Sequence, residues 1–121
     1  MQTITELTLN DSMFYRNIPV FTYHITYPSF STTCVLAAAQ AANTYYMQLA
    51  KTTEQYCRTV LYPQAVESAR YIPANYPPFN RYTLDMTYHI TYNSGCITSL
   101  YMDTYTYMGG AHQELKRTSD T

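Results

Sequence analysis

The hexapeptide Thr-Tyr-His-Ile-Thr-Tyr stands at Thr22 to Tyr27 and again at Thr87 to Tyr92. Successive side chains of an extended backbone point to opposite faces, so each copy sends a Tyr-Ile-Tyr row one way and a Thr-His-Thr row the other. That is the pattern of a half-buried strand. Between the copies lies the longest helical pattern of the chain: Val35, Ala39, Ala42, Tyr46, Leu49, Thr53, Cys57 and Val60 step by four and three, with Gln40, Thr44, Gln48, Lys51, Gln55 and Arg58 opposite. The pattern predicts two strands whose Tyr-Ile-Tyr rows, Tyr23, Ile25, Tyr27 and Tyr88, Ile90, Tyr92, both lie beneath one helix.

The remaining elements follow from local signals. Ile4 to Leu9 alternates and reads as a short strand closed by a turn at Asn10-Asp11-Ser12. Pro19 predicts an edge position or a bulge before the strand Val20 to Tyr27, and Pro28 is expected to stop that strand. Ser31, Thr32 and Thr33 are the candidate helix N-caps, and the Ala-rich start of the helix has little bulk and can approach the sheet closely. Pro63 disfavours helical geometry at Tyr62, predicting a kink or an end there, with a second short helix from Pro63 to about Tyr71. Pro73 to Phe79 reads as an extended connector. From Tyr82 the pattern is strand again, turning at Asn93-Ser94-Gly95, returning from Cys96 to Tyr107, and turning at Gly109-Gly110 into a strand over Ala111 to Thr118. The expected fold is therefore α+β: a mostly antiparallel twisted sheet of four to five strands, one long helix packed on one face, and a second short helix.

Composition narrows the class. The 121 residues suit a single domain. Charged residues make up 12% of the chain, about half the usual roughly 25%. The formal charge is -1 and the longest basic run is Lys116-Arg117, so neither nucleic acid nor an anionic membrane is predicted as partner. No apolar run approaches a membrane span, and Met1 to Leu9 does not form the apolar core of an export signal. Tyr occurs 15 times and Trp not at all. Tyrosine suits a sheet with one wet face, because its ring packs while its hydroxyl meets water, and a row of exposed tyrosines also suits glycan or protein partners.

The three cysteines, Cys34, Cys57 and Cys96, have no zinc spacing and read as small buried residues. On one continuous helix the 23 residues from Cys34 to Cys57 span roughly 34 Å at the helical rise, too far for a bond. Cys96 can pair with either and leaves one thiol over.

No cofactor and no metal site is predicted. His24 and His89 are expected on the surface, and His112 would complete a three-histidine site only by folding over them. Ser94, Cys96 and His112 lie on turns, but neither a nucleophile elbow nor an acidic third member accompanies them.

The run Tyr105-Thr106-Tyr107-Met108-Gly109-Gly110-Ala111-His112, following Tyr27-Pro28 at a strand end and a helix from Leu36 to Leu61, resembles a small extracytoplasmic domain. That domain occurs in PdaC-type peptidoglycan deacetylases and RsiV-type anti-sigma factors. The resemblance covers about Val20 to Thr118. It implies an exported bacterial module, residues 1–121 forming one domain of a longer protein with a further domain on its C-terminal side. It also implies a noncatalytic binding or sensing role toward a cell-wall glycan or an envelope protein such as lysozyme. The binding residues it singles out are Tyr105, Tyr107, Gly109, Gly110 and His112. The competing readings are a small hydrolase using His112 and a structural module that dimerises through an open sheet edge; the oligomeric state itself is not legible.

Overall fold

The structure, a computed structural model, describes residues 3–31, 34–71, 79–108 and 113–120, the last stretch as backbone alone. In chain order the elements are strands β1 (Thr3–Tyr15) and β2 (Ile18–Ser31), helix α1 (Leu36–Tyr56), a π-helical turn (Cys57–Leu61), helix α2 (Tyr62–Arg70), and strands β3 (Tyr82–Ser94), β4 (Ile97–Tyr107) and β5 (Gln113–Asp120). Among the described residues the five strands form one sheet in sequence order. β2 and β3 run parallel, joined by the helical crossover that parallel neighbours require, and the pairs β1/β2, β3/β4 and β4/β5 are antiparallel. The α+β class, the long helix and the mostly antiparallel sheet are thus as expected.

The first hairpin differs from its expectation. Asn10, Asp11 and Ser12 form no turn but pair with His24, Tyr23 and Thr22 inside β1. The reversal comes at Arg16 and Asn17, whose φ values of 50° and 65° give a two-residue turn of the kind that matches strand twist. Turn propensity at residues 10–12 yields to cross-strand pairing. The register slips between Met13 and Phe14, which leaves Val20 without a partner beside Pro19, so the bulge expected at this proline is present. Pro28 does not stop β2. It pairs with Glu6, past the point where β3 leaves β2, so on that side of the strand no ladder bond is lost.

The helical layer packs on β2. Ala39, Tyr46, Ala50, Cys57, Leu61 and Ala65 are buried against Val20, Phe21, Tyr23 and Ile25 of β2, Leu84 and Met86 of β3, and Leu100 and Met102 of β4. Each large apolar side chain so enclosed contributes roughly 2 kcal/mol. Close approach rests on Ala39, Ala50 and Ala65; Ala37, Ala38 and Ala41 face solvent. Thr53, the polar break in the stripe, donates to the Leu49 carbonyl at 2.8 Å and so enters the seam satisfied.

Both helix boundaries depart from expectation. The residue preceding α1 is Val35, exposed and without a side-chain cap; Ser31 closes β2, and Thr32 and Thr33 lie outside the described residues. Cys34 precedes the helix instead of riding on it. At Pro63 the helix neither ends nor leaves helical geometry, since Tyr62 keeps φ −62° and ψ −48°. The π turn absorbs the proline: the Tyr62 N–H reaches back to the Cys57 carbonyl, and the widened turn relieves the clash a proline makes with the preceding turn. The second short helix then follows as expected.

The second hexapeptide copy does not repeat the first. β2 and β3 pair only from Phe21↔Tyr82 to Ile25↔Met86, then diverge. The β3 residues in the core are Tyr82, Leu84 and Met86, whereas Tyr88 is half-buried, Ile90 is 37% exposed and Tyr92 51%. A bulge after Ile90 breaks the alternation, so that Tyr92 registers with Ser99. Where β3 departs, the freed edge of β2 is closed by side chains. Thr26 Oγ1 donates to the Met86 carbonyl at 3.0 Å, and Asn43 of α1 takes both backbone groups of Phe30, at 2.7 Å to its N–H and 3.0 Å to its carbonyl.

Two cysteines are likewise not small buried residues. Cys34 and Cys96 are exposed and joined by a disulfide, which ties the start of the helical layer to the β3/β4 turn. Cys57 is the buried free thiol, and burial pushes it up to about 12.

Candidate functional site

Strand β4 presents two chemically different rows. Its even positions Met102, Thr104 and Thr106 pair with Tyr88, Met86 and Leu84 on the helix side, and its odd positions Tyr101, Asp103, Tyr105 and Tyr107 pair with His89, Thr87, Asp85 and Thr83 on the other. The register carries this second face across the sheet, from Asp85 to His24 and on to Asn10. No described helix covers it, and it is made of hydroxyl, imidazole, carboxylate and phenol groups.

Tyr105 and Tyr107, two of the residues singled out by the resemblance, therefore stand on this open face, half-buried. Gly109, Gly110 and His112 lie outside the described residues, as does most of the connector Pro73 to Phe79; its last ring, Phe79, stacks on Tyr82 with centroids 5.6 Å apart. The face adds residues that motif reading passed over. His89 stacks on Tyr101 at 4.8 Å between centroids, and its Nε2 is 3.7 Å from Asp103 Oδ2, an ion pair when the imidazole is protonated. Ser12 and Thr22 share a hydrogen bond at 3.3 Å, and Arg81 donates to Thr22 at 3.2 Å. The signal for Tyr101 and Asp103 was present in the odd-position alternation of β4. His24 and His89 do not face one another, because β2 and β3 are parallel and His24 registers with Asp85. Among the described residues no cluster of three His, Cys, Asp or Glu is placed to hold a metal.

The even row of β4 runs out from under the helix and opens a cleft of about 410 Å³. Leu49, Leu84, Met86, Met102 and Met108 form its floor and walls. Thr52, Thr104, Thr106 and Tyr56 bring hydroxyls to it, and among the described lining residues none is charged. A sealed void of that volume would cost on the order of 10 kcal/mol, so the space is kept as an open cleft and not as a packing fault.

At the opposite border of the helix, a polar network fixes α1 to β2 and the π-helical turn to β1 and β2. The buried Tyr23 hydroxyl donates to Glu54 at 2.6 Å and accepts from Arg58 at 2.9 Å, and the same guanidinium binds Asp11 at 2.7 Å. Burial, then the Glu54 bond, pushes the Tyr23 phenol up to about 12. All three polar partners are committed to one another, so this network is a brace.

These features define a small α+β domain with one sheet face under a helix and the other open, polar and rich in tyrosine. The chain belongs to the PdaC family: the family model, described as deacetylase PdaC, matches residues 16–113. Among solved structures the chain is similar to a member of the DUF3298 family from Bacteroides fragilis, with TM-score 0.60 and 19% identity. The match covers 98% of this chain and 54% of that one, so the chain spans about half the length of its structural relative. At that identity the likeness concerns the fold. No curated protein matches the chain.

Proposed function

We propose that this domain is a noncatalytic binding module of a bacterial cell-envelope protein, working outside the cytoplasm ahead of a further domain, and that it holds a cell-wall glycan on its open sheet face. The observation that carries this reading is the row Tyr101, Asp103, Tyr105, Tyr107 beside Thr83, Asp85, Thr87 and His89. Aromatic rings offer apolar faces to sugar rings, and the adjacent carboxylates, imidazole and threonine hydroxyls offer partners to sugar hydroxyls. An extended strand spaces alternate side chains by roughly 7 Å, which suits a linear polymer laid along β4.

Two further observations support the location. The family model is described as deacetylase PdaC, the family whose resemblance implied an exported envelope module. The exposed Cys34–Cys96 disulfide fits an oxidising compartment.

The test is co-sedimentation of the purified domain with insoluble peptidoglycan at physiological salt, together with retention on immobilised lysozyme. The expected result is sedimentation with peptidoglycan that falls sharply in Tyr101→Ala and Tyr105→Ala. Retention on lysozyme without sedimentation would move the reading to a protein partner, and neither would overturn it.

A further inference from the structure

The cleft beneath the helix lies on the other side of the sheet from the open face proposed to hold the glycan. We infer that it is a second binding site, for a linear alkyl or prenyl chain bearing an uncharged polar end. Its volume of about 410 Å³ falls within the usual range of small-molecule pockets.

The lining selects the ligand class. Met86, Met102 and Met108 give the cleft three unbranched thioether side chains, which adjust to a flexible apolar body better than branched residues do. Leu49 and Leu84 complete an apolar surface, and Met86, Leu84 and Met102 are themselves buried, so the floor is anchored in the core. Among the described lining residues no group is charged, so a charged ligand would lose its hydration without an ion-pair partner. Hydroxyls at Thr52, Thr104 and Thr106 match an alcohol or ester at the end of such a chain. The hydroxyl of Thr53, a further lining residue, is already spent on the Leu49 carbonyl and the Met86 sulfur.

The site is tested with N-phenylnaphthylamine, a neutral dye that brightens in apolar surroundings, displaced by dodecanol, farnesol, dodecanoate or dodecyltrimethylammonium. One saturable dye site is expected, emptied by dodecanol or farnesol at lower concentration than by either charged chain. Thr106→Trp fills the cleft from its half-buried wall and is expected to weaken dye binding by roughly tenfold or more, while Thr87→Trp on the open face leaves it unchanged. Melting curves establish that the variants are folded, and Thr104→Trp replaces Thr106→Trp if the latter melts early. The proposal is overturned by absence of saturable binding, by equal binding in the filled and open variants, or by preference for a charged chain. It is equally overturned if light scattering shows a dimer that the filling variant dissociates, which would assign the cleft to a second copy of the chain.

Discussion

Cys34 and Cys96 are bonded across 62 residues of sequence, their Cα atoms 5.8 Å apart, at the end of the sheet where β2 and β3 have already diverged. Five residue pairs hold those two strands together near their beginnings, and the disulfide rejoins the two hairpins at the far end. The bond therefore does for the splayed end of the sheet what a hydrogen-bonded ladder does for the other.

Removing the bond should be costly. Closing a loop of this length restricts the unfolded chain by an amount worth about 4 kcal/mol on the chain-entropy account. The double variant Cys34→Ser/Cys96→Ser is expected to lose a stability of that order in urea unfolding. Thiol titration of the parent should find no reactive thiol in the folded protein and one, Cys57, after denaturation. Two or more thiols in the denatured, unreduced protein would refute the pairing.

Asn43 is the second device at that opening. Its amide replaces the strand that Phe30 lacks, so Asn43→Leu leaves a backbone N–H and a carbonyl without their partners, part-buried, at a cost of roughly 2 kcal/mol. Amide hydrogen exchange should locate the effect: the Phe30 amide is expected to exchange far faster in the variant, while the Met86 amide in the β2/β3 pairing changes little.

On the open face, His89 and Tyr101 are stacked and Tyr105 stands two positions beyond Asp103. None of these side chains belongs to the buried core. Tyr105→Ala is therefore expected to hold the melting temperature within a few degrees while lowering the yield of peptidoglycan co-sedimentation several-fold, and Tyr105→Phe should keep most of that binding if the ring face carries it. A Tyr105→Ala protein that melts early would instead make the residue a structural one.

Much of this arrangement was legible in the residues. The helical stripe was carried by Ala39, Tyr46 and Cys57, and the first Tyr-Ile-Tyr row by Tyr23, Ile25 and Tyr27, because both faces follow directly from backbone period. What failed depended on partners far away in sequence. Identical hexapeptides took different environments because β3 is a neighbour of β2 only up to Met86, and a one-residue bulge beyond Ile90 changed the register of Tyr92 alone. Pro28 was tolerated because β3 had already left its side of β2, and Asn10 to Ser12 remained extended because β2 lay beside them. Half of the face was likewise legible, through Tyr105 and Tyr107. His89 joined it through a stack formed only when β3 and β4 pair, and the cleft arose from where the helix stops covering β4, which no local pattern encodes.

The brace around Tyr23 makes stability depend on alkaline pH. Its phenol is raised from about 10 in the unfolded chain to about 12 in the folded one, first by burial and then by the bond to Glu54. The folded state thus holds its proton more tightly, so the associated stability is fully present below pH 10 and is lost as pH rises toward 12. The buried Cys57 thiol, also pushed up to about 12 from an ordinary value of 9.0, adds a loss of the same sign that begins about one pH unit lower. Tyr23→Phe keeps the ring in the core and removes the titrating group while leaving Arg58 bound to Asp11. Its expected signature is a modest loss of about 1 kcal/mol at pH 7 and a shallower decline between pH 10 and 12, with the residual slope reduced further by adding Cys57→Ala. Parallel stability curves for parent and Tyr23→Phe across that window would show that the phenol is not the group being read.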